Sequence, residues 1–180
     1  MAATLCLVGL LGLPLVARQL MPGLLERAEQ GDVEAQTELG TRYYAGRGVD
    51  QDDAEAVRWI RQAAEQGHAP AEYNLGLLYF RSRGVRGDDV QAAVWYRRAA
   101  EQAYAPAQGG LGYMYAYGTG VEEDLVRAFM WLELAWMGAG DDFTRRLYAQ
   151  QRDELAERMT ADQQDESRRL ARAWRPATAR

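Results

Sequence analysis

The sequence repeats itself every 36 residues, and no other feature constrains the fold as strongly. Ten positions hold the same residue type in three successive copies, with no insertion between copies. In the first copy these positions are Ala35, Leu39, Gly40, Tyr43, Gly48, Val49, Asp52, Ala56, Trp59 and Ala63. A fixed period of this size is typical of an architecture in which one supersecondary unit stacks on the next.

The spacing within a copy predicts two helices. Ala35, Leu39 and Tyr43 are four residues apart, which places them on one helix face. The second set is separated by three and four residues and consists of Ala56, Trp59 and Ala63. Each copy is therefore a helical hairpin, and the copies must stack because none can bury its apolar face by itself.

Capping residues predict where these helices begin and end. Gly48 suits the left-handed residue that ends the first helix. Asp52 suits the N-cap of the second helix, with Glu55 as its capping-box partner, and Asp88 with Gln91 repeats that pair. The glycine that follows each repeat leucine predicts a close approach by the indole of the second helix.

Composition favours an all-α protein. The chain has thirty alanines against one isoleucine and seven threonines, and alanine is the strongest helix former whereas β-branched residues favour strands. All 21 basic residues are arginines, which excludes a P-loop lysine and a lysine nucleophile. The net charge of −5 argues against a nucleic-acid partner, because phosphate contacts need a concentrated positive surface.

The chain divides into four segments. Residues 1–17 are apolar and uncharged, which predicts an export signal ending near Ala17 or a membrane anchor if they stay uncleaved. Residues 24–30 match the end of a second helix, which predicts a capping half-repeat at 18–32, followed by the three repeats at 33–140. Export to the periplasm or beyond is the expectation from the first segment, with a cytoplasmic location as the alternative.

Residues 141–180 predict C-terminal capping helices and a basic tail. Four apolar residues suggest the buried face of one helix, namely Phe143, Leu147, Leu155 and Met159. Thr160 with Gln163 is a capping box that opens a second helix. Residues 31–140 have sixteen acidic residues against ten arginines, whereas this last segment has eight against nine. On the second helices, four arginines are expected to be solvated, namely Arg58, Arg61, Arg97 and Arg98.

The repeated pattern resembles the Sel-one-like repeat, a relative of the tetratricopeptide repeat. The residues that carry the resemblance are alanine, leucine-glycine and tyrosine in the first helix, glycine-valine in the loop, and aspartate, alanine, tryptophan and alanine in the second helix. The resemblance covers residues 24–140. It implies an α/α solenoid of three hairpins with an N-terminal half-repeat and a C-terminal helical cap, acting as a scaffold or adaptor in bacteria.

The sequence provides no catalytic, cofactor or metal constellation. Cys6 is the single cysteine and His68 the single histidine, so neither a cysteine-rich nor a histidine-based metal site is expected. The acidic clusters fall where second helices start, where negative charge is stabilised by the helix dipole. We therefore expect no enzyme, no metal and no cofactor.

The aromatic residues outside the repeat core predict a partner-binding surface. The tetratricopeptide-like pattern places the first helices on a concave face, and tyrosine is enriched at binding surfaces. The inward positions include Thr37, Thr41 and Gly109, and the candidate contact residues are Tyr44, Tyr73, Leu77, Phe80, Tyr113 and Tyr117. The alternative is that these rings pack on neighbouring hairpins.

The prediction for function is a non-enzymatic scaffold that binds a peptide or protein in this concave groove. Neither nucleic acid nor, outside residues 1–17, a membrane is an expected partner. Two alternatives remain. Some cysteine-rich members of the family bind or slowly cleave β-lactams, although this chain lacks their paired cysteines. The other alternative is a structural subunit of an envelope assembly.

Overall fold

The computed structural model describes residues 22–177, and in this range the chain consists of helices joined by short loops, without a strand. The helices are α1 (Pro22–Glu29), α2 (Val33–Ala45), α3 (Asp53–Glu65), α4 (Ala69–Phe80), α5 (Asp89–Glu101), α6 (Ala105–Tyr117), α7 (Leu125–Gly138), α8 (Asp142–Ala156) and α9 (Ala161–Ala173). The expected all-α solenoid is confirmed. The predictions for residues 1–17 lie outside the described residues.

Each 36-residue copy forms one hairpin, and each hairpin packs on the next. The pairs are α2 with α3, α4 with α5, and α6 with α7, and α3 and α5 also pack on the first helix of the following copy. Helix α1 covers α2 at one end, burying Leu25 and Ala28. At the other end α8 and α9 both pack on α7. The array therefore has a helical cap at each end.

Aspartates cap the second helices, but without the reciprocal bond of a capping box. Asp52 Oδ1 accepts from the backbone N–H of Ala54 and Glu55, and Asp88 Oδ1 accepts from that of Gln91. The backbone N–H of Asp52 donates to Tyr43 O at 3.1 Å. The same bond recurs from Asp88 to Tyr79 O and from Asp124 to Tyr115 O. The predicted boxes are wrong because a tyrosine carbonyl of the first helix already takes this N–H.

The first helices end two residues earlier than the sequence suggested. Gly46 and Gly118 are the left-handed caps, both with φ near 64°. Ser82 holds the same place in the second copy with φ 54°. Gly48, which we predicted as the helix end, is a second left-handed residue inside the loop, with φ 74°.

The glycine after each repeat leucine is a contact point, but its neighbour is not the indole. A Cβ atom at Gly40 would lie 2.5 Å from Ile60 Cγ1 and 3.1 Å from Ala56 O. At Gly76 the neighbour is the Tyr96 ring, and at Gly112 it is Leu132. These three side chains belong to the residue after the repeat tryptophan. The two helices of each hairpin therefore touch at this glycine.

Helices α8 and α9 are joined by a short loop and are called the C-terminal hairpin below, although both pack on α7 rather than extensively on each other. They continue the period in a degenerate form. Helix α9 keeps the register, because Thr160, Ser167 and Ala171 lie 36 residues after an N-cap aspartate, a repeat tryptophan and a repeat alanine. Ser167 is fully buried where the repeats have tryptophan. Trp174 instead contacts Trp131 edge-on, with ring centroids 6.0 Å apart.

The buried face of α8 differs from the expected one. Phe143 is 72% exposed and Leu147 is 43% exposed, whereas Leu155 and Met159 are buried as predicted. Tyr148 is buried instead, because its ring packs against Gly109 of α6. The predicted capping box of Thr160 and Gln163 is confirmed.

Candidate partner-binding surface

Two of the six candidate contact residues stand open on the first helices. Tyr113 is 45% exposed and Tyr117 is 64% exposed. Their ring centroids are 4.7 Å apart at an interplanar angle of 44°. Phe80 meets Tyr113 edge-on at 6.1 Å and is itself half-buried. These three rings form a continuous aromatic strip across the second and third copies.

Tyr73, by contrast, is held in a cluster of tyrosines. Its ring stacks on Tyr96 at 5.5 Å and meets Tyr104 edge-on at 5.6 Å. Burial raises the pKa of all three phenols, and it raises the pKa of Tyr148 to about 12. These hydroxyls therefore stay neutral at physiological pH, and their geometry is that of packing residues.

Tyr44 and Leu77 lie between these extremes. Both are half-buried, and with Thr41 and Asn74 they line a cavity of about 40 Å³ between the first two copies. The Tyr44 hydroxyl accepts from Arg81 Nη1 at 3.1 Å. A cavity of this size admits about one small group, so the open part of the surface lies further along the array.

Two further inward positions are occupied by the protein itself. Thr37 is buried, and its hydroxyl donates to Val33 O at 2.7 Å and lies 2.8 Å from His68 Nδ1. Gly109 is covered by the ring of Tyr148, which would lie 2.5 Å from a Cβ atom there. The C-terminal hairpin therefore closes part of the first-helix surface in the third copy.

Beside the exposed tyrosines lies a larger cavity of about 290 Å³, which we call the tyrosine cavity. Tyr113 and Tyr117 form one wall, and the buried side chains of Leu132 and Leu155 form the apolar floor. The polar groups at its rim come from α8 and the residues after it, and they are Gln151, Glu154 and Arg158.

Sequence reasoning missed the half of this cavity that α8 contributes. It treated residues 141–180 as a cap, and the periodicity of the repeats does not extend to the first helix of that hairpin. The signal was present in the α8 sequence, since Gln151, Glu154 and Arg158 are three and four residues apart on one helix face.

The arginines of the second helices are also more engaged than expected. Arg61 Nη2 donates to the Tyr79 hydroxyl at 3.1 Å, and Arg97 Nη2 donates to the Tyr115 hydroxyl at 2.8 Å. The prediction that both are merely solvated is wrong, because each side chain bridges one copy to the next.

The described residues hold neither a cluster of metal ligands nor a membrane-spanning helix. Within residues 22–177 no three His, Cys, Asp or Glu side chains gather at a distance suited to one metal ion. None of the helices in that range has the length and apolarity needed to cross a membrane.

Comparison with known proteins identifies a matching repeat family and similar solved structures. The Sel1 repeat model matches residues 33–68, 69–104 and 105–135. The crystal structure of c5321, a protective antigen present in uropathogenic Escherichia coli strains that displays an SLR fold, superposes with a TM-score of 0.75 and 36% identity, covering 84% of this chain and 31% of that one. A Sel1 repeat protein from Oxalobacter formigenes gives a TM-score of 0.64 and 36% identity, covering 68% and 51%.

A curated relative adds a name with a stated ligand. The secretory immunoglobulin A-binding protein EsiB of Escherichia coli O6:H1 is 43% identical over 57 residues, which are 32% of this chain and 12% of EsiB. This chain thus spans only part of the length of these relatives. Since the repeat model matches three consecutive copies across residues 33–135, the chain belongs to the Sel1 repeat family.

Proposed function

We propose that the chain is a non-catalytic interaction scaffold that binds a protein partner along the surface of its first helices. The observation that supports this most directly is the pair of exposed rings, Tyr113 and Tyr117, beside the tyrosine cavity. Large aromatic side chains left open next to a concave site are typical of binding surfaces. The naming of EsiB as an immunoglobulin-binding protein agrees with a protein ligand.

Site-specific photo-crosslinking in cells that express the chain tests this proposal. A photoreactive phenylalanine at position 117 should give a discrete crosslinked product, whereas the same residue in place of Val90 should not. Val90 is a matched control because it is 58% exposed and lies on a second helix, α5. Equal product from both positions, or none from position 117, would contradict binding on the first-helix surface.

A second variant separates binding from folding. Tyr113→Ala should lower the crosslinking yield from position 117 at least fivefold, since a contact of this kind is worth about 1–2 kcal/mol. Circular dichroism should show unchanged helix content, because Tyr113 is half open to solvent. An unchanged yield would remove Tyr113 from the contact surface.

Export is part of the same proposal. The apolar segment at residues 1–17 supports it. The mass of the chain recovered from the envelope or culture fraction should correspond to a start at Arg18. Recovery of a chain that begins at Met1 from the cytosol would contradict export.

A further inference from the structure

We propose that the tyrosine cavity receives an arginine side chain of the partner protein. This inference rests on the proposed function and specifies the chemistry of the contact. The occupant follows from three properties of the cavity, namely its exposed tyrosine ring, its apolar floor and a carboxylate at its rim that no arginine of the described residues pairs with.

The aromatic wall favours a flat cation. The Tyr113 ring is 45% exposed beside the cavity, whereas the Tyr117 ring, 4.7 Å from it, already has the Arg158 guanidinium 5.8 Å from its centroid. A guanidinium group stacks on an exposed ring and is attracted by the negative charge of the π-system. Elsewhere in this protein the same contact is formed internally, for example with Arg58 4.1 Å from the centroid of the Trp59 ring.

The floor suits the stem of a long side chain. Leu132 and Leu155 are both almost fully buried and close the bottom of the cavity. The methylene groups of arginine or lysine lie readily along apolar surface while the charged head reaches polar groups. A compact cation would leave this floor uncovered.

The charges at the rim do not balance. Arg158 Nη2 bonds Glu123 Oε1 and Arg158 Nη1 donates to Ala116 O at 3.2 Å, so its charge is already matched. Glu154 accepts a bond from Gln150 Nε2 at 2.8 Å. Within residues 22–177 it has no arginine within ion-pair distance. Among the described residues, the rim therefore carries one carboxylate without an arginine partner, that of the exposed Glu154.

Gln151 supplies the remaining contact. Its side chain lies at the same rim, half-buried, without a hydrogen bond to another described residue. An amide offers both a donor and an acceptor, which matches the backbone of a segment that passes over the cavity. The arginine would then lie against the exposed ring of Tyr113 and pair with Glu154.

Two matched peptides test the inference without knowledge of the partner. One is acetyl-Ala-Leu-Arg-Leu-Ala-amide, and the other has citrulline, the neutral isostere, in place of arginine. Binding to the full chain is followed by NMR of ¹³C-labelled tyrosine rings, with the Tyr113 and Tyr117 signals assigned from single phenylalanine variants. The arginine peptide should shift these two signals and bind about tenfold more tightly than its citrulline twin.

The variant Glu154→Gln should abolish that tenfold difference, whereas Glu157→Gln should preserve it. Glu157 is exposed on the same segment and outside the cavity, so both variants lose one charge. Equal binding of the two peptides, or a difference that survives Glu154→Gln, would overturn the arginine site.

Crosslinking from position 117 distinguishes this failure from failure of the proposed function. If crosslinking persists at full yield in Glu154→Gln, the surface binds a partner but the arginine contact is wrong. A drop of about tenfold in that variant, with Glu157→Gln unchanged, supports the arginine contact in the cell.

Discussion

At each junction between repeats an arginine of one copy bonds a tyrosine of the next, whereas the junction with the C-terminal hairpin is an ion pair. Arg61 and Arg97 donate to Tyr79 and Tyr115. The residue at the corresponding place in the third copy is Glu133, which accepts from Arg152 Nη1 of α8 at 2.9 Å. The bond lies at the same place in the array, but here the second helix supplies the acceptor and the following helix supplies the arginine.

The connections inside the hairpins differ in the same way. In the repeats the N-cap aspartate donates its backbone N–H to a tyrosine carbonyl across a loop with two left-handed residues. In the C-terminal hairpin the loop is short and has no glycine, and the N–H of Thr160 donates to Gln163 Oε1. The stacking geometry therefore tolerates different local solutions, provided that each backbone donor finds an acceptor.

The largest effect is expected at the repeat tryptophan. Trp131→Ala removes an indole that is 7% exposed, and a change of this type in a core costs about 3–5 kcal/mol. Trp174→Ala, which removes the partly buried ring that contacts it, should cost about 1–2 kcal/mol. Urea denaturation followed by circular dichroism measures both. Equal losses of unfolding free energy would show that Trp174 stabilises the fold as much as a repeat tryptophan does.

The second effect concerns the loop glycines that only the repeats possess. Gly120 has φ 67°, and a Cβ atom there would overlap the carbonyl of Asp89 in the preceding copy. Gly118 has φ 64°, but its nearest heavy atom would be 3.5 Å away. Gly120→Ala should therefore cost about 2–4 kcal/mol and Gly118→Ala about 1 kcal/mol.

Thermal unfolding of these two variants is the measurement. If Gly118→Ala lowers the melting temperature as much as Gly120→Ala does, the backbone conformation determines the cost. The close approach between copies would then contribute little.

Most of the fold was predictable because the repeats use strong local signals. The positions of the alanines, leucines and tryptophans determined which faces pack, and aspartates marked helix starts. Periodicity does not show which neighbour fills a contact, and so the sequence assigned the indole rather than Ile60 to Gly40.

The proposed binding surface was harder to predict from the sequence than the fold. Exposure separates Tyr113 and Tyr117 from Tyr73, although all three lie on first helices. That difference arises from long-range packing, since Tyr73 is enclosed by Tyr96 and Tyr104 from α5 and the turn after it. The contribution of Glu154 was missed because α8 starts one residue later than the period requires.

The third effect compares the two kinds of junction. Arg152→Met leaves Glu133 without its cation, and both side chains are only about one fifth exposed. Removing one partner of a poorly solvated pair costs about 2 kcal/mol, whereas Arg97→Met removes a bond to a neutral hydroxyl and should cost about 1 kcal/mol. Urea denaturation of each variant decides the order, and a larger loss in Arg97→Met would contradict the distinction between the junctions.

The smallest effect is a stabilisation, at a position where the first and third copies agree and the second departs. Gln36 and Gln108 each donate to the carbonyl eight residues earlier, at 3.1 and 3.2 Å. The second copy has Glu72 there, 3% exposed. Glu72→Gln should supply this bond to Ala64 O and raise the free energy of unfolding at pH 7 by about 1 kcal/mol.

The pH dependence of that gain identifies its cause. Burial raises the pKa of Glu72 above its ordinary value of 4.5. The protonated carboxyl therefore stabilises the fold fully below pH 4.5, and this contribution is lost as the pH rises through the folded-state pKa. The advantage of Glu72→Gln should thus shrink as the pH falls from 7 through the raised folded-state pKa, and stay constant below pH 4.5. The control Glu65→Gln, at an exposed residue of α3, should give no such trend. A gain that is constant from pH 7 to pH 4 would mean that the added hydrogen bond, and not the buried charge, separates the second copy from the others.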